Sequence, residues 1–286
     1  MIKRTKLWTS IGAITLVSVS TFSLSGCDAP SSKQADTEQE IVQETAGEVE
    51  APAKAMNHSM PSNGEGEGAD SDVNLGRDDI AYLTQLALMR GHLYVGHELY
   101  KAGHMEHAKT HMKHPKSELY AEVEPAFIVR GTSGFSTELL SISDAVEGEL
   151  GDSAVSSAYA TLVVAIAENG AAVKAESLAP AQKLKLVSEI LRVAGEEYAI
   201  AVVDGKMQNA HEYQDALGFT AIAADIVNEI DGGSAKVSSA KASALTLLAS
   251  LKPHWPSLIP PETLTTKASA LYVAAAKIEL LSLGLD

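Results

Sequence analysis

The sequence contains little cysteine, few aromatic residues and an excess of negative charge. One Cys among 286 residues excludes an intramolecular disulfide framework and a zinc site built on Cys pairs. A formal net charge of -15 argues against nucleic acid as a partner, because phosphate binding requires clustered Lys and Arg. Aromatic residues make up only 5% of the chain, whereas apolar residues make up 45%. The composition therefore allows a hydrophobic core and favours helices over strands.

Residues 1–26 have the pattern of a bacterial lipoprotein signal peptide. Three basic residues precede an apolar stretch from Leu7 through Phe22, and Leu-Ser-Gly-Cys, which resembles a lipobox, ends at Cys27. We expect cleavage before Cys27 and lipidation of its thiol, with palmitate among the acyl chains, so that the lipid bilayer is a partner. The alternatives are an ordinary signal peptide or a membrane helix. Asp28 resembles an inner-membrane retention signal, which favours the periplasmic face of the inner membrane.

The segment that follows, residues 27–76, is predicted to be a disordered acidic linker. Residues 28–76 contain 11 acidic and 2 basic side chains, a net charge of -9, and almost no large apolar residues. Such a composition cannot offset the entropy cost of ordering the chain. Within it, Met56, His58 and Met60 offer thioether and imidazole ligands suited to copper, although a chance cluster in a low-complexity linker is the favoured interpretation of so short a unit.

From residue 77 to residue 286 the sequence predicts an all-α fold, either one helix bundle or two sub-bundles that meet near residues 170–180. Asp78 or Asp79 can cap the first helix, and Pro115 is expected to interrupt it. Ser117 is expected to cap the next helix. No run alternates convincingly with period two. The predicted helices cover about 78–114, 117–129, 136–150, 153–169, 180–204, 210–230, 235–251 and 262–283.

A His-rich part at residues 77–130 is the strongest functional signal. At about 100° per residue, the last four of its six histidines fall within an arc of about 80° on one helix face, and His97 joins them if the helix continues through Gly103. Imidazoles spaced three and four residues apart can share a metal ion. The candidate ligands are His92, His97, His104, His107, His111 and His114.

Two simpler interpretations compete with a metal site. The histidines could occupy a solvated helix face, or they could be core or pH-sensing residues, each bonded to a carbonyl. No motif of an enzyme accompanies them: His97 lacks the second His of a zinc protease, and no Glu-x-x-His pair occurs to support a di-iron carboxylate site. The sequence therefore favours a non-enzymatic protein.

A second candidate metal site lies further along the chain, at Glu197, His211, Glu212 and Asp215. Carboxylate oxygens suit iron or manganese better than copper. In the alternative interpretation these residues are a helix cap and surface carboxylates, next to aromatic core residues.

The same region resembles the extracytoplasmic helical domain that precedes some bacterial high-affinity iron permeases. In that pattern an acidic-Tyr pair, Ala-Val, a Gly, Glu-Tyr, an acidic residue and Phe recur at similar spacing. The resemblance implies that a part at about residues 180–286 docks on a permease or samples metal, and it favours iron as the metal, with copper or zinc as alternatives. The matching residues are Glu197, Tyr198, Ala201, Val202, Gly205, Glu212, Tyr213, Asp215 and Phe219.

Together these patterns predict a membrane-anchored lipoprotein that captures or delivers a transition metal, with a membrane metal permease as its partner and no role for nucleic acid. Two alternatives remain open. The chain could be a structural module that docks on a membrane partner, or it could bind non-covalent haem or copper between helices.

Overall fold

A computed structural model describes residues 73–117 and 119–285. The predicted lipid anchor at Cys27, the residues of the acidic linker before residue 73 and the Met56–Met60 group lie outside the described residues. The helices are α1 (Asp79–Lys101), α2 (Met105–Ser117), α3 (Tyr120–Arg130), α4 (Ser136–Glu147), α5 (Asp152–Gly170), α6 (Pro180–Ala201), α7 (Ala210–Asn228), α8 (Ala235–Ser250) and α9 (Ser269–Leu283), with 3₁₀ helices at Ala175–Leu178 and Lys252–His254. The predicted all-α fold is confirmed, and no described helix is long and apolar enough to cross a membrane.

Helix α1 begins and ends where its sequence provides caps. The Asp78 carboxylate accepts a hydrogen bond from the amide of Ala81 at 3.0 Å, as expected for an N-cap. At the other end Gly103 has φ of +80°, a left-handed conformation that terminates the helix. The chain then reverses into α2. The expectation that one helix continues through Gly103 is wrong, and α1 and α2 instead pack as a hairpin.

Two glycine positions allow helices to approach α1 closely. A Cβ atom at Gly96 would lie 3.0 Å from Cβ of His111 on α2. A Cβ atom at Gly218 would lie only 2.3 Å from the carbonyl oxygen of Gly91, so α7 crosses α1 with backbone nearly in contact. These contacts bring α2 and α7 against the same stretch of α1.

The last four helices form a closed four-helix bundle. Helix α6 packs on α7 and α9, and α8 packs on the same two helices from the other side. Helix α1 packs on α6 and α7, and α4 and α5 pack in turn on α2 and α1. The buried apolar residues form one continuous core rather than two. The few aromatic residues are concentrated there: Tyr82, Phe135, Tyr198, Tyr213 and Phe219 are all fully buried.

A short β-hairpin joins α6 to α7, where a longer α6 was expected. Its strands are β1 (Val202–Val203) and β2 (Lys206–Met207), and the turn residues Asp204 and Gly205 both have positive φ. An Asp-Gly turn between strand-forming residues is the sequence signal of a tight β-hairpin. The helical pattern of the preceding residues led to the longer helix that the sequence predicted. The hairpin also explains why α9 begins at Ser269 and not near residue 262. Thr263 pairs with Lys206, so this backbone bonds the hairpin instead of starting a helix.

Two expectations near the end of α2 were wrong. Pro115 does not interrupt the helix but lies inside its last turn. Ser117 does not cap α3, because its hydroxyl donates back to the carbonyl of His114 at 3.0 Å.

Candidate metal centre

Three helices direct imidazole and carboxylate groups toward one point in the core. Helix α1 contributes one histidine, α2 two, and the first turns of α7 contribute a histidine and two carboxylates. We refer to these six residues as the His–carboxylate cluster: His92, His111, His114, His211, Glu212 and Asp215.

Asp215 lies at the centre of the cluster. Its Oδ1 is 2.6 Å from Nδ1 of His92 and 3.0 Å from Nδ1 of His111. Its Oδ2 is 2.9 Å from Nδ1 of His211. The same Nδ1 atom is 3.8 Å from Oε2 of Glu212. Two ligands at right angles on an ion with bonds of about 2.1 Å are about 3 Å apart, so each of the 2.6–3.0 Å spacings matches that of two neighbouring ligands on a metal ion.

The cluster is almost closed to solvent. The side chains of His92, His111 and Asp215 have no exposed surface, whereas that of His211 is 18% exposed. Ionised groups at such depth are costly unless cations or protons compensate them. The carboxylates therefore require positive charge beside them, supplied by protonated histidine or by a metal ion.

The four imidazole rings surround this point from different directions. Those of His111 and His211 are parallel, with 4.2 Å between centroids and an interplanar angle of 5°. The ring of His114 stands nearly perpendicular to those of His211 and His92, at 4.8 and 5.6 Å. His114 thus lies within reach of both sides of the cluster.

Gln214 holds His111 in the orientation that a ligand requires. Its Nε2 donates to the carbonyl of Leu258 at 3.0 Å, so its Oε1 faces Nε2 of His111, also at 3.0 Å. Because that oxygen can only accept, Nε2 of His111 is the protonated nitrogen. The lone pair of Nδ1 in neutral His111 then points at a carboxylate oxygen, an arrangement that needs a bound cation or a second proton. Outer hydrogen bonds of this kind orient the histidine ligands of metal sites.

The pKa values of the cluster reflect this mixture of burial and charge. Burial alone would raise the pKa of Asp215, but the charges of His92 and His111 and the hydrogen bonds from His111 and His211 hold it well below the usual value. Burial lowers the pKa of His111. Burial opposes the charged form of His211 as well, yet hydrogen bonds to Asp215 and Glu212 raise its pKa to about 10. His211 is therefore protonated at pH 7 in the metal-free protein and supplies compensating positive charge.

The structure separates the six histidines that the sequence offered as candidate ligands. His92, His111 and His114 belong to the cluster. His97 stacks on the ring of Tyr159, 4.1 Å between centroids, and His104 is exposed in the turn before α2. The prediction that His97 and His104 share one helix face with the later histidines was wrong, because the break at Gly103 changes the direction of the chain.

The remaining predicted residues lie near the cluster or elsewhere in the core. Nδ1 of His107 is 3.2 Å from Oε1 of Gln214, the oxygen that also faces His111. Glu197 is fully buried on α6, and it is in neither of the two groups of close ligand atoms found among the described residues. The alternative that Glu212 and Asp215 are surface carboxylates was wrong, since both are buried.

The two sites that the sequence kept apart are one cluster in the fold. His92 and His111 form one group with Asp215, and His211 and Glu212 form another with the same Asp215, all ligand atoms of a group lying within 4.8 Å of one another. Gln214 was not among the predicted site residues. Its position between Tyr213 and Asp215, inside the motif that resembles the permease-associated domain, could have indicated that it lies at the site.

Comparison with known proteins supports the predicted resemblance of the C-terminal half. Residues 174–282 match the family model of the iron permease-associated 4-helix bundle domain. Helices α6 to α8 and nearly all of α9 lie within this range, so the match covers the four-helix bundle seen in the structure. Neither the curated proteins nor the solved structures gave a match. The C-terminal half therefore resembles a domain that is associated with iron permeases.

The matched region holds only half of the His–carboxylate cluster. His211, Glu212 and Asp215 lie inside it, whereas α1 and α2 precede it. The candidate centre is thus completed by a helical hairpin that this domain model does not include.

Proposed function

We propose that this protein is a non-enzymatic metal-binding protein that captures or delivers a transition metal, with iron favoured, for a membrane permease. One observation carries the proposal: Nδ1 atoms of three histidines converge within 3.0 Å of a single buried carboxylate. Imidazole and carboxylate ligands together suit iron, zinc, nickel or manganese. The match to an iron permease-associated domain favours iron among them.

The buried geometry suits storage and transfer rather than catalysis. His92, His111 and Asp215 fill the inside of the cluster, and His211 and His114 lie at its more accessible side. An ion is therefore reached from one side only, through groups that can exchange a proton for a metal. This arrangement fits a protein that accepts an ion and hands it over.

Metal titration of the full-length protein, purified without an affinity tag, tests the proposal. We expect Fe²⁺ under anaerobic conditions to bind with a dissociation constant well below about 100 µM, and Co²⁺ or Zn²⁺ to bind at the same residues. His111→Gln should weaken binding strongly. His104→Gln, which alters an exposed histidine of the same segment, is the matched control and should bind like the unaltered protein. Failure of every metal to bind more tightly than this limit would overturn the proposal.

The cellular placement that we propose is a lipoprotein on the periplasmic face of the inner membrane, anchored through Cys27. The lipobox-like sequence and Asp28 support it. Labelling of cells with radioactive palmitate should mark the protein, and Cys27→Ser should remove both the label and the membrane association. A Cys27→Ser protein that still fractionates with the membrane would contradict a lipid anchor.

The partner that we propose is a membrane permease for the same metal. Crosslinking in cells, followed by identification of the crosslinked membrane protein, tests this part separately. We expect a metal permease to be recovered with the full-length chain. Recovery of a membrane protein without a transport function would favour the alternative of a docking module.

A further inference from the structure

We propose that the His–carboxylate cluster holds two metal ions, bridged by the two oxygens of Asp215. This inference rests on the proposed function, since it concerns how many ions the same cluster takes. In the inner seat, Oδ1 of Asp215 and Nδ1 of His92 and His111 bind one ion. In the outer seat, Oδ2 of Asp215, Nδ1 of His211 and Oε2 of Glu212 bind the other.

The carboxylate of Asp215 is divided between two sets of partners. Oδ1 lies 2.6 and 3.0 Å from the Nδ1 atoms of His92 and His111, whereas Oδ2 lies 2.9 Å from that of His211. Each set supplies three residues with ligand atoms within 4.8 Å of one another, and Asp215 is the member that the two sets share. A carboxylate used in this way binds one cation on each oxygen.

The parallel rings of His111 and His211 argue against one shared ion. The lone pair of an imidazole nitrogen lies in the plane of its ring, so a metal ion lies close to the plane of every imidazole that binds it. The two rings are inclined by only 5° and are stacked with 4.2 Å between centroids. One ion cannot lie in two separate parallel planes, whereas two ions can, one beside each ring. The spacing of the rings resembles the separation of about 3.5–4 Å between the ions of two-metal sites.

The two seats differ in how deeply they are buried, and this difference sets the order in which an ion from solvent reaches them. All three ligands of the inner seat are fully buried, whereas His211 in the outer seat is 18% exposed. The ring of His114 stands over the outer seat, 4.8 Å from that of His211, and it is 5.6 Å from that of His92. An ion that enters from solvent therefore meets the outer seat first, and the inner seat is the one that retains it.

Because of the charge of the cluster, the second ion should bind more weakly than the first. One divalent ion neutralises Asp215 and Glu212, and a second leaves an excess of positive charge in a buried region. We therefore expect two separate binding steps, with the second seen only near saturation. Such a pair would let the protein hold one ion while it exchanges the other.

Ion counting at saturation tests the two-seat arrangement. The full-length protein is dialysed to equilibrium against Co²⁺ and, anaerobically, against Fe²⁺, and the ions per chain are measured by elemental analysis. We expect two per chain. Glu212→Gln, which keeps the oxygen that accepts from Asn209 at 3.0 Å, should leave one, and His92→Gln should also leave one. His104→Gln should keep two.

A second measurement does not depend on the variants. Mn²⁺ bound at two seats bridged by one carboxylate should give the electron paramagnetic resonance spectrum of a coupled pair, with halved hyperfine spacing. One ion per chain at saturation, weakened in both variants and with the spectrum of an isolated Mn²⁺, would overturn the two-seat arrangement and leave the proposed function intact. No bound ion at all would overturn the proposed function itself.

Discussion

The rings of His111 and His211 stack face to face, 4.2 Å between centroids, although they belong to α2 and α7. The contact depends on α1, which lies against both helices. Each ring then directs its Nδ1 to a different oxygen of Asp215. The hairpin of α1 and α2 and the C-terminal bundle therefore share one centre, and changes in either half should affect it.

Removal of the central carboxylate should cost both metal affinity and stability. Asp215→Asn eliminates the partner that His211, with its pKa of about 10, faces at 2.9 Å. Breaking one partner of a buried charge pair costs about 3–5 kcal/mol, so urea unfolding of the metal-free protein should show a loss of this order. Metal affinity should fall by more than the roughly 10–100-fold that outer-shell changes produce. Asp225→Asn, on an exposed position of the same helix, is the control. Equal stability of the two variants would contradict the assigned role of Asp215.

Metal affinity should also depend on the outer hydrogen bond from Gln214. Gln214→Ala removes the oxygen that faces His111 at 3.0 Å and should reduce affinity about 10–100-fold, because the ring loses its fixed orientation. The measurement is calorimetric titration with Zn²⁺ or Co²⁺. Gln208→Ala, at an exposed position before α7, should have no effect. If both variants bind alike, Gln214 does not position the ligand.

The close crossing of α1 and α7 should be sensitive to a single methyl group. Gly218→Ala places a Cβ atom 2.3 Å from the carbonyl oxygen of Gly91, so the helices must separate. We expect a loss of about 1–3 kcal/mol in the free energy of unfolding, together with weaker metal binding, because His92 then moves away from Asp215. At Gly233 a Cβ atom would meet nothing within 4 Å, so Gly233→Ala should leave both properties nearly unchanged. A Gly218→Ala protein with normal metal affinity would show that the crossing does not set the geometry of the centre.

The stability of the metal-free protein should fall with rising pH above neutrality. His211 has its pKa raised from 6.5 to about 10 in the folded state. A raised pKa contributes stability that is fully present below pH 6.5 and is lost as the pH rises toward 10. Thermal unfolding of the metal-free protein between pH 6.5 and pH 10 should show this loss, and His211→Gln should flatten the profile. A profile that is the same in both proteins would contradict the pairing of His211 with Asp215.

Metal binding should have the opposite dependence on pH over the same range. A metal ligand must be deprotonated, so an ion has to displace the proton of His211 at neutral pH. Affinity should therefore increase by up to about tenfold per pH unit between pH 7 and pH 9, and acidification should release the ion. Titrations in buffers of different ionisation enthalpy should detect protons released on binding. Absence of proton release at pH 7 would show that His211 is not a ligand.

Much of the fold follows from local sequence signals. Asp78 caps α1, and the aromatic residues of the motif from Tyr198 to Phe219 are buried as core residues. Local rules were insufficient where a distant segment supplied the hydrogen bonds. The backbone near Thr263 pairs with Lys206 in the β-hairpin, so α9 begins later than its own sequence predicts.

For the candidate centre, too, some features follow from the sequence and others only from the tertiary structure. By itself the sequence determined the residue types that can bind a metal, their position in helical segments and the likeness of the C-terminal half to an iron permease-associated domain, because these depend on composition and local spacing. Only the tertiary structure decided which histidines meet, because the turn at Gly103 and the crossing at Gly91 and Gly218 join residues from three helices. Those long-range contacts bring His92, His111 and His114 together and leave His97 and His104 outside the cluster. Helix periodicity alone cannot predict this separation.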